Sequence, residues 1–382
     1  MNTRRLYTIE RGELDRLIKL LRGQEYQVVA PTVQDDVIVY DEIEEAHELP
    51  IGWTDVQSPG RYRLKKRGDD QYFGFVVGPH SWKKYVFPPR LSLFGVTQET
   101  DTSGGFQVAA RTRHLPKYAF IGARACELAA LGIQDKVLSG DIADPYYQEV
   151  RQNAFIVAVN CLEPAGTCFC ASMGAGPQCE RDFDLCLTEL NGHFAVEIGS
   201  EAGAAIFKPL TSREADATSK RLYQLLMDRA RDHMGRKMET DGLPQLLKDS
   251  LNSPRWDQIA KRCLACANCT MVCPTCFCYN VTDHTDLTGH HAERVGHWGS
   301  CFTLEFTYMV GKSIRTSGSS RYRQWMTHKL STWHEQFGTS GCVGCGRCIT
   351  WCPMGIDITE EAAAFRRDAA LHPANPEPAT TM

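Results

Sequence analysis

The residues with the clearest chemistry are cysteines. Cys263-x2-Cys266-x2-Cys269-x3-Cys273-Pro274 recurs as Cys342-x2-Cys345-x2-Cys348-x3-Cys352-Pro353. Thiolates at this spacing ligate [4Fe–4S] clusters. The two-residue spacers let a tight loop place three sulfurs on three corners of a cubane, and a distant fourth cysteine closes the site. Because the fourth cysteine of such a run serves the other cluster, the expected partition is crossed. Cys263, Cys266, Cys269 and Cys352 form one site; Cys342, Cys345, Cys348 and Cys273 form the other. Zinc is the competing reading, since paired CxxC steps also serve zinc, but zinc requires neither the third cysteine step nor the terminal Cys-Pro. Gly344 and Gly346 lack Cβ atoms, so the backbone can approach a cluster and aim N–H groups at its sulfurs.

A second concentration of thiols lies upstream. Cys161, Cys168 and Cys170 fall within ten residues, and Cys126 precedes them. They suggest a third [4Fe–4S] cluster on Cys126, Cys161, Cys168 and Cys170. Spacing leaves Cys179 as an alternative to Cys126, and buried inert cysteines are common. Cys186, Cys276, Cys278 and Cys301 remain unassigned. Cys276 and Cys278 could share a zinc ion with His284, His290 or His297, but the blander reading carries more weight: thiols near the clusters and solvated histidines.

The elements that must position these cysteines can be read from patterning. Residues 11–22 have helical apolar spacing, QVVAP and DVIVYDEI read as a hairpin, and RYRLKKRGDDQYFGFVV reads as another. YAFIGARACELAALGIQDKVL is a strand turning into a helix, and DPYYQEVRQNAFIVAVNC a helix returning into a strand. Together they form an α/β unit with Cys126 and Cys161 at the loop ends of its strands. In DLCLTEL-NG-HFAVEIG, Asn191-Gly192 suits a type I′ hairpin. Residues 212–261 turn helical, with Leu222, Leu225, Leu226 and Ala230 on one face. ITEEAAAFRRDAALH is expected to be a helix capped by Thr359, and HPANPEPATTM a disordered tail. The expected architecture is an α+β or α/β domain over 1–205, a mainly helical two-cluster ferredoxin domain over 206–365, and a tail over 366–382.

Between the motifs lie 68 residues, 274–341, longer than a compact ferredoxin needs. They include RYRQWMTHKLSTWHEQF, in which Tyr322, Trp325, Lys329 and Trp333 recur at helical spacing and read as core packing. From Phe306 to His334 there are five Lys or Arg and no acid. Such a segment either neutralises anionic clusters or faces an acidic partner. The seven acids and no Lys or Arg of residues 35–48 read as a solvated face.

Composition narrows the function. The 382 residues carry 42 Lys+Arg against 46 Asp+Glu, a formal charge of −4, so the basic excess of a nucleic-acid binder is missing. No window approaches the ~20 apolar residues needed to cross a bilayer, and charges occupy the start where a signal peptide would be apolar. A cytoplasmic location is expected, where the 17 cysteines suit metal ligation better than disulfides. No GxGxxG follows a strand, and there is no GxxxxGK[ST], His-Glu-x-x-His or GxSxG. No residue is expected to act as acid, base or nucleophile. Several clusters without a catalytic centre describe an electron relay held between other proteins.

GARACELAAL, DPYYQEVRQNAFIVAVNC, GTCFCASMGAGP, CPTCFC and SRYRQWMTHKLSTWHEQFGTSGCVGCGRCITWCPMGID together resemble the β subunit of cytoplasmic NAD(P)-linked [NiFe] hydrogenases, or sulfhydrogenases. An iron–sulfur component of anaerobic sulfite reductase is related. The resemblance covers about residues 115–365. It implies a relay of electrons through [4Fe–4S] clusters between a flavin- and NAD(P)-binding subunit and the hydrogenase small subunit, which adjoins the large subunit. It also implies cysteine at the positions of Cys126, Cys161, Cys168 and Cys170. Where the family usually has Asp after the first of these, this chain has Glu127. The alternatives are the equivalent relay of a sulfite or sulfur reductase and a zinc-bound structural protein.

Overall fold

A computed structural model describes residues 5–99, 105–110 and 115–371. The chain opens with β1 (Leu6–Glu10), α1 (Glu13–Gly23), β2 (Gln27–Gln34), β3 (Val37–Glu42), β4 (Trp53–Ser58) and β5 (Arg61–Lys66). Next come α2 (Lys83–Val86), β6 (Arg90–Gln98), β7 (Phe106–Ala110), β8 (Tyr118–Ala123), α3 (Ala125–Leu138), α4 (Pro145–Gln152) and β9 (Phe155–Val159). They are followed by β10 (Leu185–Glu189), β11 (His193–Ile198), α5 (Glu201–Phe207), β12 (Ser212–Glu214), α6 (Ala217–Asp232), α7 (Leu243–Asp249) and α8 (Arg255–Ala260).

The first layer is an eight-stranded sheet in the order β12-β1-β11-β10-β9-β8-β2-β3. Its centre, β10-β9-β8-β2, is parallel, and the flanking pairs are antiparallel. Every residue of FIVAV in β9 and LCLTE in β10 is buried, as parallel strands covered on both faces require. The helices α3 and α4 cross from β8 to β9, and Asp144 caps α4 through the Tyr147 N–H. This crossover brings the carboxyl ends of two adjacent parallel strands together, where α/β sheets build their sites.

The second half adds α9 (Asn268–Met271), β13 (Tyr279–Thr285), β14 (His291–Trp298), α10 (Gly318–Thr327), α11 (Trp333–Phe337), α12 (Arg347–Thr350) and α13 (Ile358–Leu371). A π-helical turn, His328–Thr332, joins α10 to α11. The strands of the two halves share sheets: β12 pairs with β1, and β13-β14-β6-β7 form a four-stranded sheet. A separate apolar core containing Trp256, Tyr322, Trp325, Met326 and Phe365 lies behind the two ferredoxin motifs.

Several details differ from the patterning. The partner of β5 is β4, upstream of it, and much of the segment after Lys66 is irregular because Arg67 and Glu189 tie its backbone by side-chain hydrogen bonds. The β10–β11 hairpin forms, but only Gly192 of its tip has a positive φ, so the turn is not type I′. On α6, Ala230 is buried and Leu222 and Leu226 are half-buried as expected, but Leu225 is exposed and Met227 is buried in addition. The start of α13 is capped by Asp357, which accepts from the N–H and hydroxyl of Thr359. Because α13 reaches Leu371, residues 366–371 are helical; the remainder of the expected tail lies outside the described residues. Between the motifs, β13, β14 and a small hairpin, Tyr308–Met309 with Lys312–Ser313, accompany the helices, so this region is mixed rather than mainly helical.

Candidate metal centres

The first ferredoxin run leaves α8 and wraps through Ala265 and Ala267, both with positive φ, 51° and 67°. Left-handed backbone in non-glycine residues is uncommon, and here it curls the loop so that its thiols converge. Cys263, Cys266, Cys269 and Cys352 line one small pocket, walled by Phe302, Tyr322 and Trp325. Backbone N–H groups of Ala265 and Ile356 point at the Cys263 and Cys352 sulfurs, each at 3.4 Å. Cys266 is exposed, so this site opens to solvent.

Cys348 also lines that cavity, yet its thiol interacts most with Cys342, Cys345 and Cys273. The structure thus brings the second predicted set together, and Cys348 stands between the two sets. Gly344, at φ +66°, donates its N–H to Cys342 Sγ at 3.4 Å, as the Cβ-free backbone allows. Burial pushes the Cys269 and Cys348 thiols well up. Cys273 moves the other way, held well down by a hydrogen bond from Cys276 and by the charge of Lys329.

Lys329 was legible only as one position of a buried stripe. Its Nζ lies 3.2 Å from Cys273 Sγ, 3.2 Å from Thr275 Oγ1, 3.5 Å from Cys276 Sγ and 3.1 Å from the Gly341 carbonyl. Among the described residues it makes no ion pair with a carboxylate. Burial opposes its charge, but Cys273, Cys276 and Cys342 outweigh that and raise its pKa. A buried ammonium without an anion is costly, so its placement fits a site whose thiols are thiolates.

The third set also comes together. Cys126, in the first turn of α3, and Cys161, just after β9, join Cys168 and Cys170 around a small pocket that Arg124, Cys345 and Arg347 complete. Burial pushes the Cys126 thiol well up, and its place in the first turn of α3 acts in the opposite sense. Arg124 is buried and fixed by the carbonyls of Asn160, Phe73 and Phe75. Arg347 donates to the Gly78 carbonyl and is paired with Glu127, the two side chains being 5% and 1% exposed. Sequence reasoning missed both arginines; the signal for Arg347 is a charged residue between two ligand-type cysteines.

Cys179 lies elsewhere. Its thiol sits in the main apolar core and meets the Val159 carbonyl at 3.8 Å, and Cys186 is buried within β10. Cys276 adjoins Lys329, while Cys301 is buried with Cys278 nearby. His284 and His290 bond Thr282 and Gln98. Among the described residues no three Cys, His, Asp or Glu side chains converge closely enough for a single metal ion.

No helix among the described residues is long and apolar enough to cross a membrane. Residues 262–356 match the 4Fe-4S dicluster domain family. The chain is 30% identical over 282 residues to the sulfhydrogenase 2 beta subunit of Pyrococcus furiosus, covering 72% of this chain and 79% of that one. No solved structure matches. Thiol sets, a dicluster domain and this length of likeness converge: the chain is an iron–sulfur electron-transfer protein and belongs to the family of sulfhydrogenase beta subunits.

Proposed function

We propose that the chain holds three [4Fe–4S] clusters and relays single electrons between a flavin- and NAD(P)-binding subunit and the small subunit of a [NiFe] hydrogenase. The observation that carries this reading is contiguity. Cys348 belongs to the second thiol set and lines the first cavity, and Cys345 belongs to the second set and lines the third. The sets thus run without a gap from exposed Cys266 to the carboxyl ends of β8 and β9.

A bound [4Fe–4S] cluster gains or loses one electron with no proton or group to transfer. The work of this chain is therefore to hold, space and insulate. Cys263, Cys266, Cys269 and Cys352 ligate the first cluster; Cys342, Cys345, Cys348 and Cys273 the second; Cys126, Cys161, Cys168 and Cys170 the third. Tyr322, Trp325 and Phe302 keep water from the inner wall of the first site. No side chain is assigned an acid, base or nucleophile role.

Iron analysis tests the ligand set. The anaerobic wild-type chain should hold about twelve irons, four per cluster, and Cys126→Ala about eight. Cys179→Ala should keep all of them. Full iron in Cys126→Ala would remove that residue from the set. A nickel-containing partner on co-purification supports the hydrogenase assignment, and a sirohaem partner would replace it with the sulfite reductase relay.

A further inference from the structure

The two ferredoxin sites have the same spacing but different charge environments. Around the first, the hydrogen bonds to sulfur come from the backbone of Ala265 and Ile356, and Cys266 meets water. Around the second, a buried ammonium touches a ligand sulfur directly. Lys329 reaches it from the π-helical turn at His328–Thr332, a local widening that frequently marks functional positions in helices. Its hydrogen-bond partners Thr275 Oγ1 and the Gly341 carbonyl fix the ammonium in place, and Lys83, also buried, donates to the Cys276 carbonyl at 3.2 Å from the other side of the same loop.

A positive charge favours the more negative, reduced state of a neighbouring cluster, and hydrogen bonds to its sulfurs act in the same direction. Water at Cys266 helps the reduced state of the first site too, but it is mobile and screens. A fixed cation at hydrogen-bond distance in a dry interior acts more strongly.

Resting on the ligand assignment above, we infer that Lys329 is a tuning residue that makes the site of Cys342, Cys345, Cys348 and Cys273 the higher-potential member of the ferredoxin pair. The full-length, cluster-loaded chain is titrated potentiometrically under EPR. Lys329→Gln should lower the reduction equilibrium of one cluster at least tenfold, about 59 mV for one electron, leaving the others within twofold. Lys329→Arg should stay close to wild type. Midpoints within threefold of wild type in an iron-replete Lys329→Gln protein overturn the inference.

Two ligand variants keep the test open should the glutamine protein fail to assemble. Cys342→Ser should perturb the higher-potential ferredoxin signal and Cys263→Ser the lower, and the reverse assignment overturns the inference. If neither serine perturbs any cluster signal, the ligand assignment itself fails, and the inference with it.

Discussion

Glu127 and Arg347 form an ion pair that joins the first turn of α3 to α12, and so ties the α/β sheet to the second ferredoxin run. Glu127 also accepts the Trp82 N–H at 3.2 Å. Removing one member of a buried pair leaves the other charge uncompensated and costs about 3–5 kcal/mol. Glu127→Gln keeps the shape but has one acceptor oxygen where Glu127 uses two, for the Trp82 N–H and the Arg347 guanidinium, so it removes the charge together with one hydrogen bond. Arg347 also interacts with Cys345 and Cys126, and thiolates there would take over part of the missing negative charge, so the expected loss is at the lower end, about 3 kcal/mol. Arg347→Met combined with Glu127→Gln should recover at least half of that loss, because no orphan charge then remains. Denaturant unfolding of the anaerobic protein, followed by circular dichroism, measures each variant. A loss below about 1 kcal/mol for Glu127→Gln, or strict additivity in the double variant, would refute the buried-pair argument. Glu127→Asp should retain the pair and cost less than Gln.

Two further outcomes follow from geometry. Gly344→Ala places a Cβ 2.6 Å from the Phe169 backbone and 2.7 Å from the Cys170 Cα at a positive φ; the strain of that backbone alone costs about 1–2 kcal/mol, and because the contact lies between the second and third sites, iron content should fall with stability. Burial raises Asp55 to about 6 despite its hydrogen bonds from Val76 and Gln57; its folded pKa is above the unfolded value of about 3.9, so the folded chain holds the proton longer and stability falls as pH rises through that window, by about 1 kcal/mol from pH 5 to 7. Asp55→Asn should flatten that slope, which a pH series of unfolding midpoints reads directly, and an unchanged slope would remove Asp55 as its source.

The proposed thiol partition was drawn from the spacing of the two runs. A loop of two-residue spacers brings three thiols together wherever the fold puts it, and the proposed crossing of Cys273 and Cys352 follows from the rule that the fourth cysteine of such a run serves the other cluster. The proposed third set was drawn for a different reason: strand, helix and strand in sequence place the ends of β8 and β9 side by side, and so bring Cys126 and Cys161 near each other. Sequence could not choose between Cys126 and Cys179, because both lie close to a strand end along the chain. What separates them is depth. Cys179 is buried in the main apolar core with its thiol on the Val159 carbonyl, whereas Cys126 lines the pocket of the proposed third site.

The cations were the harder part, because periodicity reports burial and not the company kept inside. Lys329 shares a stripe with Tyr322, Trp325 and Trp333, and all four are buried, so reading the stripe as core was correct as far as the pattern goes. The acid-free segment from Phe306 to His334 posed a choice between neutralising clusters and facing a partner, and its residues divide. Arg321 turns inward to the Phe302 carbonyl and Arg323 reaches the Leu251 carbonyl. Lys329 alone among the segment's cations contacts a predicted ligand sulfur. A lysine on an otherwise apolar stripe between two cluster motifs is thus itself a signal: burying its charge is costly unless an anion waits there, and here the available anions are the thiolates. The same reasoning applies to Arg347, which sits between two ligand positions and can be buried only because Glu127, from the first turn of a distant helix, and the sulfurs of two sites supply the opposite charge.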